Sequence, residues 1–230
     1  MAARPAKLRL LCLHGFQQTG SGFRSKLGGL RKAVRGVAEL EFMDAPHVVA
    51  VGETVRTETG LEFETQEEGR AWWRRGVEQE EWQQGQEVEE SMVAIGRAWR
   101  EGGQYDGLLC FSQGAALGGI LCLLQHQGKL GFEFNFIILV SGFTSDKLKP
   151  SFEEQEGLIS IPSLHVMGES DRNIVVARSL ELASKFCQPT VCPHPGGHHL
   201  PYKGEMKERL LAFLGQRLGE KVEKEEASLK

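Results

Sequence analysis

The distribution of apolar and polar positions along this chain switches repeatedly between two periods. Lys7–Leu13 is a short, nearly continuous apolar run, the pattern of a strand covered on both faces. Phe23, Leu27, Leu30 and Val34 then recur at i, i+4, i+7 and i+11, which predicts one amphipathic helix. Ala38–Met43 reads as a second strand, and Val88, Met92, Ile95 and Trp99 form the apolar stripe of a helix over Gln86–Arg100. An apolar strand ending at Phe111 is followed by a helix from Gln113 to about Gln127. Strands over Phe136–Val140 and Ser163–Met167, a helix over Ile174–Phe186 and a short strand near Thr190–Cys192 come next. The final helix is expected from about Lys203 to Leu218, with the charged tail from Gly219 to Lys230 fraying. This alternation predicts an α/β fold: a mostly parallel central sheet with helices on both faces, forming a single domain over 1–218.

One segment departs from the alternation. Glu53–Glu90 holds 12 acidic and 4 basic residues, a net charge of −8, together with the pair Trp72-Trp73. Its first part, Glu53–Glu68, reads as a mobile polar loop. The insertion at about 48–90 is therefore a candidate lid, with Trp72 and Trp73 in a short helix offering apolar surface to a substrate. The competing reading makes both rings anchors that pin the excursion to the body, one buried and one half exposed.

Candidate chemistry lies at the ends of the strands. Leu108–Phe111 runs into Ser112-Gln113-Gly114-Ala115-Ala116, an apolar strand ending in a serine among small residues. This is the form of a nucleophile elbow, G-x-S-x-G with Cys110 in the first position. A strand-to-helix turn of this kind forces the serine into strained backbone and packs neighbouring chain closely, so small residues are required. A lone match is weak, but an acid and a histidine follow in order. Asp171 comes just past the Ser163–Gly168 strand, and His198 sits in the loop Pro195-Gly196-Gly197-His198-His199-Leu200-Pro201. Three ordered partners at the carboxyl ends of parallel strands point to Ser112 as nucleophile, His198 as base and Asp171 as the group orienting the base. The backbone N–H groups of Gln113 and Phe16 are the candidate oxyanion hole.

Each assignment has a competitor. Glu169 stands two residues before Asp171, and His199 is adjacent to His198. His14 neighbours the oxyanion loop and is expected to be structural, because the chemistry there uses backbone N–H groups. His165 and His194 read as strand and surface residues. His194, His198 and His199 have no cysteine or acidic spacing that completes a metal set. No metal or organic cofactor is called for.

Charge and composition narrow the class. With 27 basic and 31 acidic residues the net charge is −4, which argues against a nucleic-acid surface. No apolar stretch approaches the ~20 residues of a membrane span. The first residues carry no signal-peptide pattern ahead of the first strand. The cysteines (Cys12, Cys110, Cys122, Cys187 and Cys192) are odd in number and lack C-x-x-C spacing, which suits a reducing compartment. The expectation is a cytoplasmic enzyme with a nuclear share, acting on a small-molecule ester.

Leu13-His14-Gly15-Phe16-Gln17, Phe23-Arg24-x-Lys26, Asp44-Ala45-Pro46-His47, Trp72-Trp73, Phe111-Ser112-Gln113-Gly114, Gly168-x-x-Asp171 and Gly196-Gly197-His198 together resemble the FSH family of serine hydrolases, nearest to its animal members. The resemblance runs from about Leu8 to Leu214 and is patchy over Val48–Gln84. It implies an α/β-hydrolase fold, a Ser112–Asp171–His198 triad and carboxylesterase activity on straight-chain alkyl or acyl esters. Acyl thioesterases share a similar elbow, so thioester hydrolysis is the alternative within enzymes. A catalytically slow ligand-binding protein on the same fold is the alternative outside them. Two departures from the family pattern stand out. Cys110 replaces the usual elbow glycine, and Val175 replaces the proline that commonly opens the helix after the acid.

Overall fold

The computed structural model describes residues 6–57, 60–76, 81–145, 152 and 155–228. Its centre is a six-stranded sheet of β1 (Leu8–Leu13), β2 (Ala38–Met43), β7 (Gly107–Phe111), β8 (Phe136–Val140), β9 (Ser163–Gly168) and β10 (Thr190–His194). The strand order is β10-β9-β8-β7-β1-β2, with every pairing parallel. The chain moves outward from β1 to β2 on one side and from β7 to β10 on the other. The order therefore reverses between β1 and β7, which opens a crevice at their carboxyl ends.

Strand side chains alternate between two cores. Leu8, Leu10 and Cys12 of β1 and Leu109 and Phe111 of β7 face one layer, while Leu11, Leu13, Leu108 and Cys110 face the other. The first layer is covered by α1 (Gly20–Lys26), α2 (Gly28–Val34) and α6 (Gly204–Ser228), through Phe23, Leu27, Leu30, Leu210 and Leu214. The second is covered by α3 (Glu81–Glu101), α4 (Gln113–His126) and α5 (Val176–Ala183), through Val88, Ile95, Leu117 and Leu182. Each fully buried Leu or Ile contributes roughly 1.5–3 kcal/mol relative to exposure. Among the described residues no helix is long and apolar enough to cross a membrane.

Four expectations need correction. The single helix predicted over Phe23–Val34 is two, broken at Leu27 (φ −90°, ψ 15°). Gly28 and Gly29 follow the break, and a side chain on Gly29 would fall on the Tyr202 ring, so the helix breaks where the loop before the last helix packs against it. Two short antiparallel pairs form here: one flanks Glu53–Glu68, the stretch read as a mobile loop, and the other lies within it. These are β3 (His47–Val49) with β6 (Gly69–Ala71), and β4 (Thr54–Arg56) with β5 (Glu62–Glu64). Trp72 and Trp73 follow β6 as bends, with no short helix. The charged tail extends α6 to Ser228: Lys221 Nζ donates to Lys7 O at 3.1 Å and to Asp106 Oδ2 at 2.9 Å, docking it across the sheet. Leu229 and Lys230 lie outside the described residues.

Candidate active site

Ser112 is where the elbow pattern places it, between β7 and α4 at the crevice. Its backbone is left-handed (φ 53°, ψ −114°), a conformation costing about 1–3 kcal/mol for a residue with a side chain. The turn is held from both sides. Ser112 N donates to Val140 O on β8 at 2.9 Å, while Ser112 O accepts from Ala115 N and Ala116 N. The small neighbours have specific contacts. A Cβ on Gly114 would sit 2.5 Å from Leu13 O, and one on Gly15 would sit 3.0 Å from the Phe111 ring. The elbow and the loop after β1 are thus packed backbone to backbone.

The histidine and the acid come together the same way. Glu169 N donates to His194 O, and Ser170 N to Gly196 O, tying the loop after β9 to the loop after β10. A Cβ on Gly168 would fall on the carbonyl oxygens of Gly196 and Gly197, so only glycine permits this approach. His198 is thereby set between its partners. Its Nε2 lies 2.9 Å from Ser112 Oγ and its Nδ1 lies 2.7 Å from Asp171 Oδ2. The Phe111 ring packs on the imidazole at 4.8 Å.

The Asp171 side chain is fully buried. Burial alone pushes its carboxyl up, but bonds from His198, Ile174 N and the Ser141 hydroxyl outweigh burial and hold it below the ordinary value. Oδ1 accepts from Asn173 N and Ile174 N, each at 2.9 Å, and Oδ2 also accepts from Ser141 Oγ at 2.9 Å. Ser141 has φ 48° at the end of β8 and carried no recognisable signal in the sequence. Glu169 is exposed, and His199 is exposed beside His194, with ring centroids 5.1 Å apart. Val175 is the N-cap of α5 without a side-chain cap bond, and Asp171 keeps its partners regardless.

The serine opens onto a cleft of about 290 Å³ lined by Phe16, Arg56, Phe63, Arg75, Phe111, Ile174 and His198, among others. Among the described residues no group of three or more His, Cys, Asp or Glu side chains could hold a metal ion.

A family model described as "Serine hydrolase (FSH1)" matches residues 1–210. The chain belongs to this family. It is 39% identical over 219 residues to "Esterase OVCA2" of Xenopus tropicalis, covering 93% of this chain and 94% of that one. It is likewise 39% identical over 227 residues to "Esterase OVCA2" of Homo sapiens, covering 94% and 98%. Among solved structures it superposes on Zea mays acyl-protein thioesterase 2 with a TM-score of 0.62 at 15% identity, covering 95% of this chain and 96% of that one, a likeness of fold. The protein is an α/β-hydrolase and a serine esterase.

In this FSH1-family chain the Trp72-Trp73 pair is wired directly to the elbow. The Gln113 side chain accepts from Trp72 N at 3.0 Å and donates to Trp73 O at 2.7 Å. Trp72 Nε1 donates to His14 O at 2.7 Å, and Ser91 Oγ donates to Trp72 O at 2.6 Å. Both tryptophans are buried, at 0% and 3% exposure, and neither lines the cleft, which corrects the reading of these two rings as substrate-pocket or lid residues. The anchoring reading fits, with both rings inside rather than one. A lid has to present its rings to the substrate; these rings are consumed by the core.

His14 is structural, as expected. Its Nε2 accepts from Ala45 N at 3.0 Å, so the proton is on Nδ1, which donates to Gly15 O at 2.8 Å. Burial lowers its pKa and keeps the ring neutral. The loop carrying Phe16 is also held from outside. Gln17 is left-handed at φ 58°, Arg70 N donates to Gln18 O, and a Cβ on Gly69 would lie 2.6 Å from Gln17 O. Gly69 and Arg70 of the insertion thus buttress the loop. Cys110 is buried with its thiol pushed up by burial, and all five cysteines are free thiols.

Proposed function

We propose that this serine esterase hydrolyses linear medium- to long-chain alkyl or acyl esters through an acyl-enzyme on Ser112. The observation that carries the reading is the continuous chain Ser112 Oγ–His198–Asp171, with bonds of 2.9 and 2.7 Å. Ser112 attacks the ester carbonyl as His198 Nε2 takes its proton, and Asp171 fixes the tautomer and stabilises the imidazolium. The tetrahedral oxyanion is held by the N–H groups of Gln113 and Phe16, with the first turn of α4 adding its dipole. His198 then returns the proton to the departing alcohol, and water, deprotonated by the same ring, cleaves the acyl-enzyme. Phe16, Phe63, Phe111 and Ile174 give the cleft the apolar surface an alkyl chain needs. The free cysteines accord with a cytoplasmic setting.

The test is fluorophosphonate labelling of wild type and Ser112→Ala, with turnover on p-nitrophenyl esters of rising chain length and on matched thioesters. Labelling and turnover in wild type alone are expected, with a rate that climbs with chain length. A folded wild type that neither labels nor turns over would sink the assignment, and a strong thioester preference would move it to the acyl thioesterases.

A further inference from the structure

We propose that Arg56 and Arg75 form an anion-recognising rim on the Ser112 cleft, and that the preferred ester carries a carboxylate or phosphate group beyond its scissile carbonyl. The inference rests on Ser112 as nucleophile and adds a substrate class to that reading.

Glu53–Glu90 is the most acidic part of an acidic chain, with 12 acidic and 4 basic residues. Two of those four basic residues line the catalytic cleft, and among its described lining residues there is no carboxylate. The arginines are also neighbours by construction. The antiparallel bridge Val55↔Gly76 sets Arg56 opposite Arg75, and Arg56 N donates to Arg75 O at 2.9 Å. Directly opposed residues on antiparallel strands project from the same face with their Cβ atoms roughly 5 Å apart, where like charges destabilise the pair. A substrate anion seated beside the two guanidiniums would offset that repulsion.

Glu62 holds Arg56 through Oε1, at 3.2 Å from Nε and 2.6 Å from Nη2. Both side chains are about half exposed, so water screens the pair and a substrate anion can exchange for it. The Arg75 guanidinium carbon lies 6.0 Å from the centre of the Phe16 ring, in the loop beside Ser112. Guanidinium forks suit the planar, multidentate oxygens of carboxylate and phosphate. The protein's overall negative charge repels such substrates at long range, so their selection needs a local cationic rim. Phe63 and Phe111 line the same cleft, as an alkyl chain with an ester at one end and an anion at the other requires.

The full chain is assayed with two matched pairs. One is 4-methylumbelliferyl hexanoate against the mono-4-methylumbelliferyl ester of adipic acid, which differ only by the terminal carboxylate. The other is 1-hexanoylglycerol against 1-hexanoylglycerol 3-phosphate. The readout is the anionic-to-neutral ratio of kcat/KM within each protein, so a general loss of activity cancels. Wild type is expected to favour the anionic member of at least one pair about tenfold, with the preference shrinking as salt is raised. Arg56→Gln with Arg75→Gln should bring the ratio to about 1, and Arg75→Lys should retain part of it. A preference in one pair alone assigns carboxylate or phosphate accordingly. A wild type that labels with fluorophosphonate and hydrolyses the neutral esters without preference would overturn the rim, as would a double variant that keeps the preference. Loss of labelling would instead count against Ser112 as nucleophile.

Discussion

Cys110 and Gly118 share one space: a Cβ built on Gly118 in α4 would lie 2.9 Å from the Cys110 Sγ on β7. The elbow's extra side chain is thus absorbed by a glycine about one and a half turns along α4, and Ser112 keeps its left-handed backbone and its bond to His198. Gly118→Ala gains up to about 1 kcal/mol in helix propensity but overpacks the strand–helix contact at a cost of about 1–3 kcal/mol. The expected net result is a lower Tm. Adding Cys110→Gly should recover part of it, because the 3.0 Å approach to Ile137 Cδ1 remains. Thermal denaturation of the two single variants and the double variant measures the coupling. Strictly additive effects would show that the thiol and the glycine do not share this space.

Ser141 supplies the Asp171 carboxylate with one of its hydrogen bonds from a left-handed position. Ser141→Ala removes the bond and keeps the strain, while Ser141→Gly removes both. Each should lower kcat by about tenfold, in line with loss of one bond to a charged group, with the glycine variant the more stable of the two. Asp171→Asn, which donates where a carboxylate must accept, should cost on the order of 10⁴-fold in kcat. Kinetics on a p-nitrophenyl ester, paired with Tm, separates these roles. Full-rate Asp171→Asn would remove Asp171 from the mechanism.

The parts of this fold that could be read from sequence are those whose signal is local. Phe136–Val140 has the limits expected from its apolar run, because a strand covered on both faces advertises itself continuously, and Ala38–Met43, at the sheet edge, has those expected from its alternation of apolar and acidic residues. Ser112, Asp171 and His198 were legible because each follows a strand in short, small-residue sequence, and Gly114, Gly168 and Gly196 mark the close approaches. What stayed hidden depends on partners far along the chain. Nothing near Trp72 distinguishes a lid from an anchor, since the deciding bond comes from Gln113, 41 residues away. The three-residue strands β4 and β5 are too short to show a period, and the docking of α6 depends on Asp106, 115 residues before Lys221.

Gln113 does two jobs that a charge would split. Its carbonyl oxygen accepts from Trp72 N and its amide donates to Trp73 O, all within the core. Gln113→Glu keeps the first bond and sets a carboxylate oxygen against the Trp73 carbonyl. Gln113→Ala leaves both backbone groups buried and unpaired, at about 1–3 kcal/mol each. Both variants should lose stability, and turnover should fall with it, because the residue that anchors the insertion also follows the nucleophile. Urea denaturation alongside fluorophosphonate labelling rates tests the link. Labelling at the wild-type rate in a destabilised Gln113→Ala protein would confine the residue to a purely structural role.

His165 makes stability depend on pH. It is buried in β9 with its Nε2 3.1 Å from Ser163 Oγ and its ring against Phe186, and burial lowers its pKa from 6.5 to about 4. Between those values the unfolded chain binds a proton that the folded protein refuses, so stability rises with pH through this window. The contribution is fully present above about pH 6.5 and is lost as pH falls toward about 4, amounting to roughly 3 kcal/mol. His14 and His194 are also held neutral by burial and act with the same sign, so one substitution removes only part of the slope. His165→Gln should therefore lower stability at neutral pH through lost packing, yet flatten the loss of Tm between pH 6.5 and 4. Melting curves across that range decide it: parallel pH profiles for wild type and variant would mean that His165 is protonated in the fold as readily as in the unfolded chain.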